Sequence, residues 1–217
     1  REMAKQVAHE IKNPLTPMKL SIQHLQRAIK DNAPDIKELT EKISQRLIDQ
    51  IDTLSGIATA FSDFAKMPQG DFSSIDIVPI LLSTVELFRE SENIEITLDY
   101  PNEACKVNGD KEQIMRVFTN IIKNATQAIP ETQKGVIEIQ ITAQQQNYLI
   151  SVRDNGTGIE EDKRAHIFEP NFTTKTSGTG LGLAICKNII ERMDGKIGFE
   201  SKVNEYSVFN IELPKQK

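Results

Sequence analysis

The first third of the chain carries its apolar residues at helical spacing. Val7, Ile11, Leu15, Met18, Ile22, Leu25 and Ile29 follow one another in steps of four and three. After a break at Asn32, Ala33 and Pro34, the same steps run through Ile36, Leu39, Ile43, Leu47, Ile51, Leu54, Ala58 and Phe61. Such steps return to one side of an α-helix, so the pattern predicts a long helical hairpin with an apolar stripe on each arm. An arm of about 30 residues is ~45 Å long at ~1.5 Å per residue, and two arms alone expose more apolar seam than they cover. Two covers are open: a second copy of the chain, giving a four-helix bundle in a homodimer, or the remainder of the same chain.

Between residues 66 and 74 the sequence KMPQGDFSS breaks the period with Pro, Gly and Ser. This predicts a linker at 68–75 between a helical domain, 1–67, and a second domain, 76–217. The period then changes. Residues 76–89 read as a helix, 94–100 (IEITLDY) alternate as a strand, and Asp110 caps a helix running to about Ala128. Residues 136–143 (VIEIQITA) and 148–154 (YLISVRD) are alternating strands joined by a polar turn. Residues 181–193 are helical, and 196–201 and 207–213 form a last strand pair. Helices and strands mixed in this order predict an α/β sandwich, with one layer of helices on one face of a mixed sheet. The fold class is thus an α domain followed by an α/β domain.

Composition narrows the field. With 217 residues, 38% hydrophobic and 26% charged, the chain is of globular type, which excludes disorder and collagen-like repeats. The net charge of −5, with Lys and Arg scattered, offers no footprint for a nucleic-acid backbone. No apolar run approaches the roughly 20 residues that span a bilayer, and no signal-peptide pattern opens the chain, so no membrane contact is expected of this fragment. The first residue is Arg1 rather than Met, which suggests a piece of a longer protein and leaves an inner-membrane anchor elsewhere open. Cys105 and Cys186 are far apart without ligand spacing, so they read as filler thiols in a reduced, cytoplasmic setting, and a zinc site is set aside.

Candidate chemistry sits in two glycine clusters: DNGTGI at 154–159, after a strand, and SGTGLGL at 177–183, before a helix. Each is either turn chemistry or a ligand cradle. In the second, Gly178, Gly180 and Gly182 allow close approach, and the N–H groups of a helix start attract phosphate. In the first, Asp154 stands at a strand end, where it can accept a hydrogen bond from an exocyclic amine such as adenine's. Neither cluster is a P-loop or a dinucleotide fingerprint. Asn120 and Asn124, four apart, share a helix face. They are either an exposed polar face or hard oxygen ligands for Mg2+ that otherwise keeps waters and phosphate oxygens.

HEIKNPLTP at 9–17, NIIKNATQA at 120–128, DNGTGI, IFEPNFTTK at 167–175 and GTGLGL at 178–183 resemble, in order and spacing, the five boxes of two-component sensor histidine kinases. The opening REMAKQVAHEIKNPLTPMKLS is most similar to the nitrogen-regulation sensor branch. The resemblance implies a dimerising hairpin and an ATP-binding domain of the histidine kinase and chaperone ATPase type. It implies transfer of the ATP γ-phosphoryl to His9 and on to an aspartate of a response-regulator receiver domain, with phosphatase activity toward that regulator. The nucleotide set it implies is Asn120, Asn124, Asp154, Gly156, Gly158 and Ile159 on one side, and Lys175, Thr179, Gly180, Leu181, Gly182 and Ser207 on the other, with Asn124 and Asn120 toward Mg2+. Two positions depart from the family: Asn171 stands where an aromatic is common, and Gln127 where many members carry a base whose charge Lys175 or Lys123 would supply. Ser207 matches a position near the base that often carries Thr.

On a wheel at ~100° per residue, His9 lies about 165° from the apolar seam, so it faces solvent, with Asn13 on the same face and Glu10 beside it. A neutral imidazole, with pKa ~6.5, is a competent nucleophile near neutrality, and an adjacent carboxylate such as Glu10 can hold its proton. Asn13 corresponds to the family position that orients water for dephosphorylating the partner. Pro14 should kink the helix, either as a two-state element or as a static bend. Residues 155–178 hold few apolar side chains and read as a mobile lid, with Phe168 and Phe172 docking it and Lys175 either meeting the triphosphate or solvated. His24 and His166 lack His9's context and read as surface residues. Two other functions stand beside the kinase. A chaperone or mismatch-repair type ATPase would lack the HEIKNP helix and carry an acid in the asparagine helix. A dimeric signalling scaffold would bind nucleotide without turnover.

Overall fold

The computed structural model describes residues 2–31, 35–65, 71–89, 93–169 and 180–216, with side chains described from residue 11 onward except 52, 53 and 56–65. They form two compact units, one helical and one α/β.

The helical unit is a hairpin of α1 (Glu2–Lys30) and α2 (Ile36–Ala65) packed along each other. Helix α1 continues through both Pro14 and Pro17. Each proline removes one N–H from the ladder, yet the helical assignment does not break. Ile43 of α2 is buried, but Ile11, Leu15, Ile22 and Ile29 of α1 and Ile51 of α2 are between 37% and 56% exposed. Among the described residues, the amphipathic stripe that forms these helices is therefore only partly covered.

The second unit opens with β1 (Ser73–Asp76) and α3 (Ile77–Glu86). Asp76 joins them: its carboxylate accepts from Val78 N at 3.1 Å, capping α3, and from Cys105 N at 3.1 Å, anchoring the approach to β3 (Lys106–Gly109). Helix α4 (Lys111–Ala128) is capped as expected by Asp110, which accepts from Glu112 N and Gln113 N. The remaining elements are β2 (Ile94–Asp99), β4 (Gly135–Ala143), β5 (Asn147–Asp154), a single 3-10 turn at Glu161–Lys163, α5 (Gly182–Arg192), β6 (Lys196–Lys202) and β7 (Tyr206–Pro214).

Strands β2, β4, β5, β7 and β6 form a five-stranded sheet in that order, with β2 parallel to β4 and the other neighbours antiparallel. Alternate residues of its strands point inward: Ile137, Ile139 and Ile141 of β4, Ile150 and Val152 of β5, and Phe209, Ile211 and Leu213 of β7 are all buried. Against them lie Val117, Phe118, Ile121 and Ile122 of α4 and Ile185, Ile189 and Ile190 of α5, with α3 beside α4. Each such side chain, fully buried, stabilises the sandwich by about 1.5–3 kcal/mol. Both cysteines are buried, and burial pushes the Cys186 thiol up to about 12.

Two strands escaped the pattern. Strand β1 begins inside the segment expected to be linker and pairs antiparallel with β3, equally unforeseen, as a separate two-stranded sheet. Four residues, two of them serine, carry no alternation to read, and the pairing with β3 makes the strand. Among the described residues no helix is long and apolar enough to cross a membrane.

Candidate nucleotide cradle

Three polar side chains are buried among the described residues: Thr84, Asp154 and Ser207. Thr84 is satisfied inside α3, its hydroxyl donating to Ile80 O at 2.8 Å. Asp154 and Ser207 are 1% and 3% exposed and stand directly opposite each other on β5 and β7. Burying such groups costs free energy unless they are used, so their convergence at one end of the sheet marks a site.

The loop leaving Asp154 is tied down residue by residue. Asp154 Oδ1 accepts from Gly156 N at 2.9 Å. The Asn155 side chain takes Val136 N at 2.8 Å and donates to Lys134 O at 3.0 Å, fixing the loop to the start of β4. Thr157 N donates to Ala128 O at 2.9 Å, fixing it to the end of α4. A Cβ on Gly156 would lie 2.5 Å from Ala128 O, so only glycine fits. Gly158 has φ +69°, and a Cβ there would meet Lys202 O at 2.4 Å. Beyond it, Ile159 N donates to Ser201 Oγ at 2.8 Å. Arg164 then spans the gap, Nε donating to Ile159 O at 3.2 Å and Nη2 to Ser201 O at 2.8 Å. The result is a rigid wall of main chain beside a buried acid.

On α4, Asn120 Nδ2 donates to Arg116 O at 3.1 Å within its own helix. Its Oδ1 is thereby turned toward the start of α5, where a Cβ on Gly182 would lie 3.1 Å away. Asn124, one turn on, is half-buried. Gly180 takes the left-handed conformation, φ +64°, and Leu181 is buried. The structure thus brings together Asp154, Gly156, Gly158, Ile159 and Ser207, and separately Asn120 with Gly182. Asn13 is exposed on α1. The side chains of His9 and Glu10, and Lys175, Thr179 and residues 170–178 of the expected lid with Phe172, lie outside the described residues. Phe168, expected to dock that lid, meets Phe199 of β6 edge-on at 6.0 Å. His24 is exposed, and exposed His166 pairs with Glu169 at 2.9 Å.

The sequence reading missed Asn155 as a clasp, Ser201 and Arg164. Ser201 had a signal, since it faces Ser207 across the β6–β7 hairpin. Arg164 had none, sitting in the charged run EEDKR.

Residues 109–217 match the family described as histidine kinase-, DNA gyrase B-, and HSP90-like ATPase, and residues 1–70 match the His Kinase A phospho-acceptor domain. The chain belongs to the two-component sensor histidine kinases, a family of ATP-dependent phosphotransferases, and within it resembles the NtrY-like kind. It is 34% identical to nitrogen regulation protein NtrY of Azorhizobium caulinodans over 90% of this chain and 26% of that protein. Among solved structures, the catalytic domain of histidine kinase ThkA is similar at 36% identity and a TM-score of 0.61, covering 67% of this chain and 96% of that one. ThkA in complex with response regulator TrrA matches at 28% identity and a TM-score of 0.65, covering 99% of this chain and 61% of that one. The chain spans between a quarter and a half of the curated relatives' length.

Proposed function

We propose that this chain is the catalytic core of a sensor histidine kinase, in which residues 1–67 dimerise and carry the phosphorylated histidine and residues 76–217 bind ATP. The observation that carries the reading is the buried acid Asp154, held at a strand end against a main-chain wall that admits no side chain at Gly156. As a carboxylate, Asp154 accepts hydrogen bonds only, which suits the amino group of adenine. The family resemblance assigns the phosphates to Lys175, Thr179, Gly180, Leu181 and Gly182.

Asn120 and Asn124 would hold Mg2+. The Oδ1 of Asn120, turned away from its own helix, is a hard neutral oxygen of the kind that leaves most coordination to phosphate and water. The ion supplies charge neutralisation at the phosphates when bound. A nitrogen of His9 attacks the γ-phosphorus, the N–P bond forms as the bond to the ADP oxygen breaks, and Glu10 holds the proton on the other ring nitrogen. A carboxylate oxygen of the receiver aspartate then displaces His9 from phosphorus. Exposed Ile11, Leu15, Ile22, Ile29 and Ile51 support a dimer, because a second hairpin would cover them. A receiver-domain partner is supported by the complex recorded for ThkA. Chemistry that draws on ATP assigns this part of the chain to the cytoplasm.

The test is incubation with γ-labelled ATP and Mg2+. Acid-labile label on the chain supports the kinase, and its absence favours a nucleotide-binding scaffold without turnover. Two variants probe the parts. Asn13→Ala is expected to slow dephosphorylation of the phosphorylated regulator about tenfold or more while labelling of the chain stays within about twofold. An unchanged dephosphorylation rate removes Asn13 from that role. Arg164→Ala is expected to weaken ADP binding about tenfold by calorimetry, because the bridge that Arg164 makes between Ile159 O and Ser201 O is lost, and Arg164→Lys is expected to restore part of it.

A further inference from the structure

We infer that Ser201 fixes the hydrogen-bond polarity of Ser207 and so makes the cradle select 6-amino over 6-oxo purines, an inference that rests on reading the cradle as a purine nucleotide site. Asp154, Ser207 and Ser201 form one row across β5, β7 and β6, each directly opposite the next. Residues opposite one another in a ladder share a face, so all three side chains lie on one side of the sheet.

The protons in that row can be counted. Ser201 Oγ makes three contacts: Tyr206 O at 2.9 Å, Ile159 N at 2.8 Å and Ser207 Oγ at 3.1 Å. A hydroxyl has one proton to give and two lone pairs to fill. A carbonyl oxygen can only accept, so the Ser201 proton goes to Tyr206 O. Ile159 N–H can only donate, so it fills one lone pair of Ser201. The remaining lone pair faces Ser207, whose own proton must fill it. This is the one assignment in which all three contacts are hydrogen bonds. Giving the Ser201 proton to Ser207 would set two acceptor oxygens against each other at Tyr206.

Ser207 then has no proton left for a ligand. Directly opposite Ser207 on β5 stands Asp154, whose carboxylate, when ionised, also only accepts. A pair of adjacent acceptors matches a group with two N–H donors, as the exocyclic amine of adenine has. It opposes the carbonyl at the same position of hypoxanthine or guanine. Ser201, which need not touch the ligand, is in this account a positioning residue for specificity.

The experiment compares ADP and inosine diphosphate binding, with Mg2+, by calorimetry. The wild type is expected to prefer ADP. In Ser201→Ala the Ser207 proton is released and can be donated to the 6-oxo group, so the ADP preference should fall about tenfold. Ser201→Thr keeps the hydroxyl and should keep the wild-type ratio within about twofold. A loop anchor without a polarity role would weaken both ligands together and leave the ratio unchanged, and that result overturns the inference. If the alanine variant does not fold, Ser201→Cys replaces it. Its weakly accepting thiol should lower the ratio severalfold, and an unchanged ratio again overturns the inference. A wild type that binds neither diphosphate removes the nucleotide reading itself, whereas a wild type that binds ADP beside an unshifted variant ratio removes only the role of Ser201.

Discussion

Replacing His9 with Gln is expected to abolish acid-labile labelling of the chain by γ-labelled ATP and to leave ADP affinity within about twofold of wild type. Glutamine is polar and of similar size, but its amide nitrogen has its lone pair delocalised into the carbonyl and does not attack phosphorus. The drop should reach the detection floor, at least about a thousandfold, since loss of a nucleophile is not offset by the groups around it. Binding should persist because residue 9 belongs to the helical unit and Asp154 to the α/β unit. Acid lability matters to the readout, since a phosphoramidate at histidine is lost in acid where phosphoserine and phosphothreonine survive. Full labelling in the variant would move the acceptor elsewhere and take the roles of Glu10 and Asn13 with it.

The two assignments in that experiment were readable from the chain to very different depths. The hairpin arms are long and amphipathic, so their period shows in sequence before any tertiary contact is known. The sheet strands alternate because one face meets helices and the other water, and the sequence shows that too. Asp154 was legible because an acid between a strand and two glycines is locally unusual. Strand β1 was not, since its four residues acquire strand geometry only from β3, far along the chain. The contacts of Ser201 and Arg164 were hidden for the same reason, although the hairpin pairing of Ser201 with Ser207 was open to reading. Their partners Ile159, Tyr206 and Ser207 become neighbours only through hairpin register and loop closure. Phe168 is read from sequence as a docking residue, and the surface its ring meets is Phe199, which in turn lies 6.1 Å from Phe209. Aromatic packing on the β6–β7 hairpin decides that position, and sequence separation does not reveal it.

The second large effect is expected at Gly156. A Cβ there would stand 2.5 Å from Ala128 O, 2.7 Å from Ala128 C and 2.8 Å from Asp154 Oδ1. None of these atoms can step aside cheaply. Ala128 O holds Thr157 N at 2.9 Å at the end of α4, and Asp154 is buried in the sheet. The loop itself must move, breaking the bond from Gly156 N to Asp154 and turning the carboxylate away from its place at the strand end. Overpacking of this kind costs about 1–3 kcal/mol before the lost hydrogen bonds are counted. Gly156→Ala is therefore expected to weaken ADP binding by about a hundredfold or more, with a fall of several degrees in melting temperature. The control is Gly198→Ala on β6, where a Cβ meets nothing within 4 Å. There the methyl only restricts the unfolded chain, so binding should be unchanged and melting the same or slightly higher. Because both variants add one methyl group to one sheet domain, a difference between them reports the cradle and not the burden of a larger side chain. Wild-type ADP affinity in folded Gly156→Ala would mean that the main chain at this loop does not line the ligand, and the assignment of Asp154 to the base would go with it.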